Sequence, residues 1–316
     1  MADDVVKLSE LSAEKVPEAL RPEAYFDFQA HPFAHQALFQ QAGVTNVFGA
    51  ITAIGKYAKA WLAETIEAKR AKVAGLSSAD GGAQTSGDFQ VLVEPGAEFA
   101  PACILGAAEA GAGHTVYVEA GARVVGTVLF LDEGSIYVGA GSVLEPGVGV
   151  KGPTIIGAKC EIRQGAYLRG KCILGDGCTI RGELKNTVMM DRANFPHPSY
   201  VGDSLCGYMT HFGNQATAAN LGIYEGLREV DQRKSLVLPI DGVRYDLGTP
   251  KMGVCMGDFS QVGCNSVTDP GTFLRPHTIV YPLTRLNRGF YGPDEIVKNK
   301  PMEHGVIERT PMRPLT

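Results

Sequence analysis

The chain has 316 residues, 45% hydrophobic and 20% charged, with a formal net charge of −5, which suits one large domain with a smaller one, or two modest ones. The acidic balance, without a basic patch interleaved with aromatics, argues against a nucleic-acid partner. No apolar run approaches membrane-span length and no signal-like apolar segment opens the chain, so neither a membrane nor secretion is expected.

Residues 1–75 are rich in Ala, Glu and Lys and read as a helical N-terminal region. Val47, Ile51, Ile54, Ala58, Trp61 and Thr65 recur at steps of three and four, which predicts an amphipathic helix from about Thr45 to Lys72, with Asn46 or Thr45 as cap. His31 and His35 stand four apart, a spacing open to metal ligation. Pro32 weakens that idea, because the residue before a proline is pushed away from helical geometry. No third ligand stands nearby, so packing or capping is expected and no metal.

Residues 76–89 form a Gly/Ser linker. Beyond it glycine, valine, isoleucine and short polar residues dominate, and helical periodicity ends. From Val138 every sixth residue is aliphatic: Val138, Leu144, Val150, Ile156, Ile162, Leu168, Leu174 and Ile180. Smaller or β-branched residues stand two positions before each, and turn residues fill the gaps. An α-helix does not tolerate that much glycine, so short strands must end in corners and coil into a parallel β-helix. Three hexads per coil stack residues eighteen apart at about 4.8 Å. This β-helix domain is expected over 90–283, with irregular coils before Val138 and a resumption at Met256, Val262, Thr268, Leu274 and Val280. Two excursions are expected, at 185–200 and 222–250; Asp241-Gly242 marks a hairpin in the second. Residues 284–316 read as a C-terminal tail.

Seven cysteines (103, 160, 172, 178, 206, 255 and 264) include no CxxC pair. Three fall in phase with the repeat and read as small buried hydrophobes in a reducing cytoplasm. Lys151 and Arg169 lie eighteen apart, as do Arg163 and Arg181, so each pair should stack as like charges. Either a bound anion or a Glu or Asp of a neighbouring chain would relieve that repulsion, and Glu145, Glu161 and Glu183 lie close enough in sequence to supply it; for Arg169 a ligand is favoured.

The hexads followed by "PHPSYVGDS", "ATAANLG" and "KMGVCMGD" resemble the acetyltransferase half of the bifunctional N-acetylglucosamine-1-phosphate uridylyltransferase/glucosamine-1-phosphate acetyltransferases. They are also similar to archaeal-type sugar-phosphate nucleotidylyltransferases with a β-helix tail. The resemblance implies an all-β fold, a left-handed parallel β-helix of hexapeptide repeats, against the usual right-handed crossover. It also implies a homotrimer with active sites between neighbouring prisms, acetyl-CoA as co-substrate and a sugar phosphate as acceptor. On the same basis His197 is the catalytic histidine, and Arg169, Lys185, Tyr200, Asn220 and Lys251 hold the sugar phosphate.

Two departures stand out. Where the family reads "VNIGAGT" this chain has "THFGNQAT". His211 thus replaces an active-site asparagine, and Asn214 a small residue lining the acetyl-CoA site; Cys264 is also expected at that site. In the family the C-terminal end holds CoA phosphates, and here it carries Arg285, Arg288, Lys298 and Lys300. Residues 1–75 contain no Gly-rich phosphate loop following a first strand, so no nucleotidylyltransferase half is expected. Two functions stay open. One is an acyltransferase with His197 as general base, supported by the retained His197, Tyr200, Lys185, Asn220 and Lys251. The other is a non-catalytic trimeric sugar-phosphate binding or scaffold protein, supported by His211 and Asn214.

Overall fold

Residues 5–78, 84–299 and 307–311 are described by a computed structural model. The chain divides into two compact units, Ile54–Pro198, and Met1–Ala53 together with Ser199–Thr316.

In the unit Ile54–Pro198, short parallel strands stack coil upon coil. Val138, Ile156, Leu174 and Met189 pair in one column. Leu144, Ile162, Ile180 and Phe195 form a second, and Val150, Leu168 and Leu184 a third. Every one of these side chains is buried. The three columns are the hexad read three times per turn: the aliphatic residue points inward and the corner residues face solvent. The step is eighteen from Val138 to Leu174, whereas upstream Val118 pairs with Val138 and Leu129 with Val150, longer coils that carry no six-residue count.

The expected excursion over 185–200 is largely absent. Thr187, Val188 and Met189 pair with Cys172, Ile173 and Leu174, and Asn194 and Phe195 with Thr179 and Ile180. This coil is simply shorter, with a step of fifteen, so the hexad phase slips while the ladder goes on. Only the bend at Pro196–Pro198 departs from it, where two prolines cannot donate to a ladder.

The unit containing 199–316 repeats the plan. Cys206, Met256, Leu274 and Tyr291 form one column, and Phe212, Val262, Val280 and Val297 another. The parallel ladder thus passes residue 283, where a tail was expected, as far as Val297, and Ile307–Pro311 pairs antiparallel with Glu295–Asn299. Leu286 and Val297 continue to fill inward positions, and the charged residues between them face outward. The coil from Cys206 to its partner Met256 takes fifty residues. Its strands Val237–Ile240 and Val243–Asp246 pair antiparallel across Asp241 and Gly242, both at positive φ (49° and 80°), as a two-residue hairpin turn requires. Val5–Lys7 adds a parallel strand to this hairpin.

The N-terminal helix runs Val47–Lys72. Asn46 caps it, its Oδ1 accepting from the backbone N–H groups of Phe48 and Gly49, both at 3.0 Å. Within the Ile54–Pro198 unit, Trp61 packs edge-on against Tyr137 at 5.2 Å. Lys69 donates to Glu94 at 3.4 Å and also to Glu119. The His31 ring stacks on Tyr208 at 4.2 Å, and His35 is buried. No described helix is long and apolar enough to cross a membrane.

Candidate active site

Consider first the Ile54–Pro198 unit. Backbone bonds run from Glu145 N to Ile162 O (2.9 Å), from Arg163 N to Ile180 O (2.8 Å) and from Arg181 N to Phe195 O (2.8 Å). They set Glu145, Arg163, Arg181 and Pro196 at the same point of successive coils, so the expected stacking of Arg163 on Arg181 is present. His197 follows at the edge of this column, half-buried between two prolines. Proline fixes its own φ and biases the preceding residue to extended geometry, which limits the positions the imidazole reaches. His197, Pro196, Glu145, Arg163, Gln164 and Arg181 line a cleft of about 280 Å³.

The cations of the cleft are not equivalent. Arg163 donates through Nε and Nη2 to the two carboxylate oxygens of Glu161, each at 3.0 Å, and that pairing raises its pKa further. Arg181 donates from Nε to the Gln164 carbonyl at 3.3 Å. Glu145 Oε2 accepts from the Gln164 backbone N–H at 2.7 Å.

Arg169 and Lys185, the residues expected to accompany His197, are not in the walls of this cleft. Arg169 donates to Glu183 at 2.6 Å, and Lys151 pairs with Asp132 (3.1 Å) and Glu133 (2.8 Å). The repulsion expected of the Lys151–Arg169 stack is therefore met by carboxylates of the same chain. Lys185 stands half-buried in the strand Glu183–Met189.

In the other unit a hydrogen-bonded group gathers three residues. Asn220 Nδ2 donates to the Tyr200 hydroxyl at 2.9 Å and to Asp203 Oδ2 at 2.6 Å. Asp203 is buried with φ of 49°. The Met252 N–H, next to Lys251, donates to the Asn220 carbonyl at 3.0 Å, and the Gly253 N–H to that of Asp203 at 2.9 Å. The Tyr200 ring lies across Gly202, where a Cβ would overlap its hydroxyl. Gly202 was not legible as a site residue, since its role depends on where the tyrosine falls. Lys251 forms a bridge with Leu221, which brings its backbone to the same group.

His211 is half-buried in register with Gln261. Three residues further, Asn214 and Cys264 share an exposed corner, where Asn265 N donates to Asn214 O at 2.9 Å. Gly213 permits the approach, because a Cβ there would meet the Cys264 backbone. Arg285 is engaged by Asp269 at 2.8 Å, and Arg288 donates to the Pro270 carbonyl at 3.0 Å. Lys300 lies outside the described residues. Among the described residues no group of three or more His, Cys, Asp or Glu converges as for a metal.

No family model matches the chain. It is 31% identical over 106 residues to a bifunctional sugar-1-phosphate nucleotidylyltransferase/acetyltransferase of Sulfurisphaera tokodaii, covering 34% of this chain and 24% of that protein. It is 27% identical over 128 residues to the bifunctional protein GlmU of Methanococcus maripaludis, covering 37% and 28%. The match thus spans about a quarter of the length of these curated relatives. Among solved structures, the polysialic acid O-acetyltransferase OatWY covers 73% of this chain and 87% of its own at 12% identity and a TM-score of 0.27. An Arabidopsis UDP-N-acetylglucosamine acyltransferase covers 73% and 72% at 11% identity and a TM-score of 0.26. Superpositions at those scores bear no functional argument.

Proposed function

We propose that this chain is a CoA-dependent N-acyltransferase, transferring acetyl from acetyl-CoA to an amino-sugar phosphate such as glucosamine-1-phosphate, with His197 as general base. The observation that carries this is the cleft in which a histidine held between two prolines faces two guanidinium groups and a carboxylate. In the reaction the acceptor's ammonium first gives one proton to solvent, and the resulting amine nitrogen attacks the thioester carbonyl carbon, forming C–N and breaking C–S. His197 takes the proton the amine loses, and the departing thiolate is protonated to free CoA. No covalent intermediate on the enzyme is required, which suits a chain whose Cys172 and Cys206 thiols are pushed above their usual range by burial.

Tyr200, His211, Asn220, Lys251, Arg169 and Lys185 are assigned to the sugar phosphate, and Asn214 and Cys264 to acetyl-CoA. The likeness to two proteins whose names include acetyltransferase or GlmU supports the acyl-transfer class. The working form is taken to be a homotrimer, and its place the cytoplasm, where seven free thiols persist. A second reading, a trimeric sugar-phosphate binding or scaffold protein without catalysis, is favoured by His211 and Asn214 standing where the resembled enzymes have asparagine and a small residue.

Thiol release from acetyl-CoA, measured against a panel of amino-sugar phosphates, separates the two. Release matched by N-acetylated product supports the enzyme. Its absence with every acceptor, together with retained sugar-phosphate binding, selects the scaffold.

A further inference from the structure

We infer that the cleft beside His197 is built for a zwitterionic ligand, with Arg181 holding its anionic group and Glu145 its ammonium. This rests on the acyltransfer reading for the ligand's identity, but not for its charge pattern. The basis is the charge arrangement along one column. Stacking Arg163 on Arg181 places two guanidinium groups on adjacent coils, where like charges oppose one another. Arg163 is compensated by its own strand through the two-pronged bond to Glu161. Arg181 lacks an equivalent. It is exposed, and among the described residues its one side-chain bond is to a backbone carbonyl.

Among the described residues, Arg181 is accordingly the cation of this cleft with donors still to be used. Guanidinium donors in a planar fork fit the oxygens of a phosphate or carboxylate. One coil beyond Arg163, Glu145 presents the only carboxylate among the lining residues, and one of its oxygens is committed to a backbone N–H. Its charge also acts on Arg163 one coil away, and the oxygen not bonded to the backbone is the one offered to an ammonium. A neutral sugar satisfies neither group, and a simple phosphate satisfies only the arginine.

Calorimetric titration of the full chain distinguishes these cases with three probes: glucosamine-1-phosphate, glucose-1-phosphate and glucosamine. Arg181→Gln is expected to weaken both phosphates by about 10- to 100-fold and glucosamine little. Glu145→Gln is expected to weaken glucosamine-1-phosphate while leaving glucose-1-phosphate unchanged. Arg181→Lys, which keeps the charge and loses the fork, should fall between wild type and Arg181→Gln. Unchanged glucosamine-1-phosphate binding in Arg181→Gln overturns the assignment, and so does wild-type protein that binds none of the probes. Loss of assembly mass by light scattering with binding intact would assign Arg181 to a neighbouring subunit's carboxylate instead, also against it. Because the titrations need no turnover, binding that follows this pattern without thiol release defeats the enzyme reading and leaves the charge assignment standing.

Discussion

Asn220 donates to the hydroxyl of Tyr200 at 2.9 Å, joining two residues twenty positions apart. Gly202 makes the contact possible, since a Cβ there would overlap that hydroxyl. Gly202→Ala should therefore displace the tyrosine and lower kcat/KM for the amino-sugar phosphate about as much as Tyr200→Phe, roughly tenfold. The double variant should lose no more than either single one, because both remove the same contact. Additive losses in that cycle would separate the glycine from the tyrosine.

His197→Ala is expected to retain the wild-type melting temperature, since the side chain is half-buried at a bend outside the aliphatic columns. Its rate of thiol release from acetyl-CoA should fall by at least ~100-fold. Equal rates in the two proteins would remove His197 from the chemistry, whatever the acceptor.

Ile162 is fully buried and pairs with Leu144 on one side and Ile180 on the other. Ile162→Asp places a carboxylate in that column without a partner, at a cost of several kcal/mol. The expected outcome is insoluble or unfolded protein by circular dichroism. Ile162→Val should stay folded and lose about 1 kcal/mol in denaturant titration.

Burial pushes the His35 pKa down from its usual value to about 4. The unfolded chain takes up a proton near pH 6.5 while the folded one stays neutral, so the unfolded state binds more protons between those values. Stability from this group is thus complete above pH 6.5 and is lost as pH falls toward 4, by on the order of 3 kcal/mol. Melting temperatures recorded across that window should fall less steeply in His35→Phe than in wild type. Parallel curves would place the loss on other groups.

Much of the fold was legible because the β-helix is a local code. Each hexad places one aliphatic residue inward and a turn at the corner, so Val138, Ile156 and Leu174 were recognisable as one column from spacing alone. The same holds for the Asn46 cap and the Asp241-Gly242 hairpin, where one or two residues suffice to satisfy the backbone. What spacing could not reveal was where coils change length. The step of fifteen that carries Ile180 to Phe195 breaks the count of six without breaking the ladder, because hydrogen bonding between coils tolerates a missing corner.

The candidate site divides along the same line. The pairing of Tyr200 with Asn220 needed the fold, because it joins side chains on different coils. The stacking of Arg163 on Arg181 was readable from their interval of eighteen. Which of the two arginines keeps donors for a ligand was not, since that depends on Glu161 turning back along its own strand to grip Arg163. Side-chain direction decides which charges compensate each other, and it is set by packing between coils that no six-residue count contains.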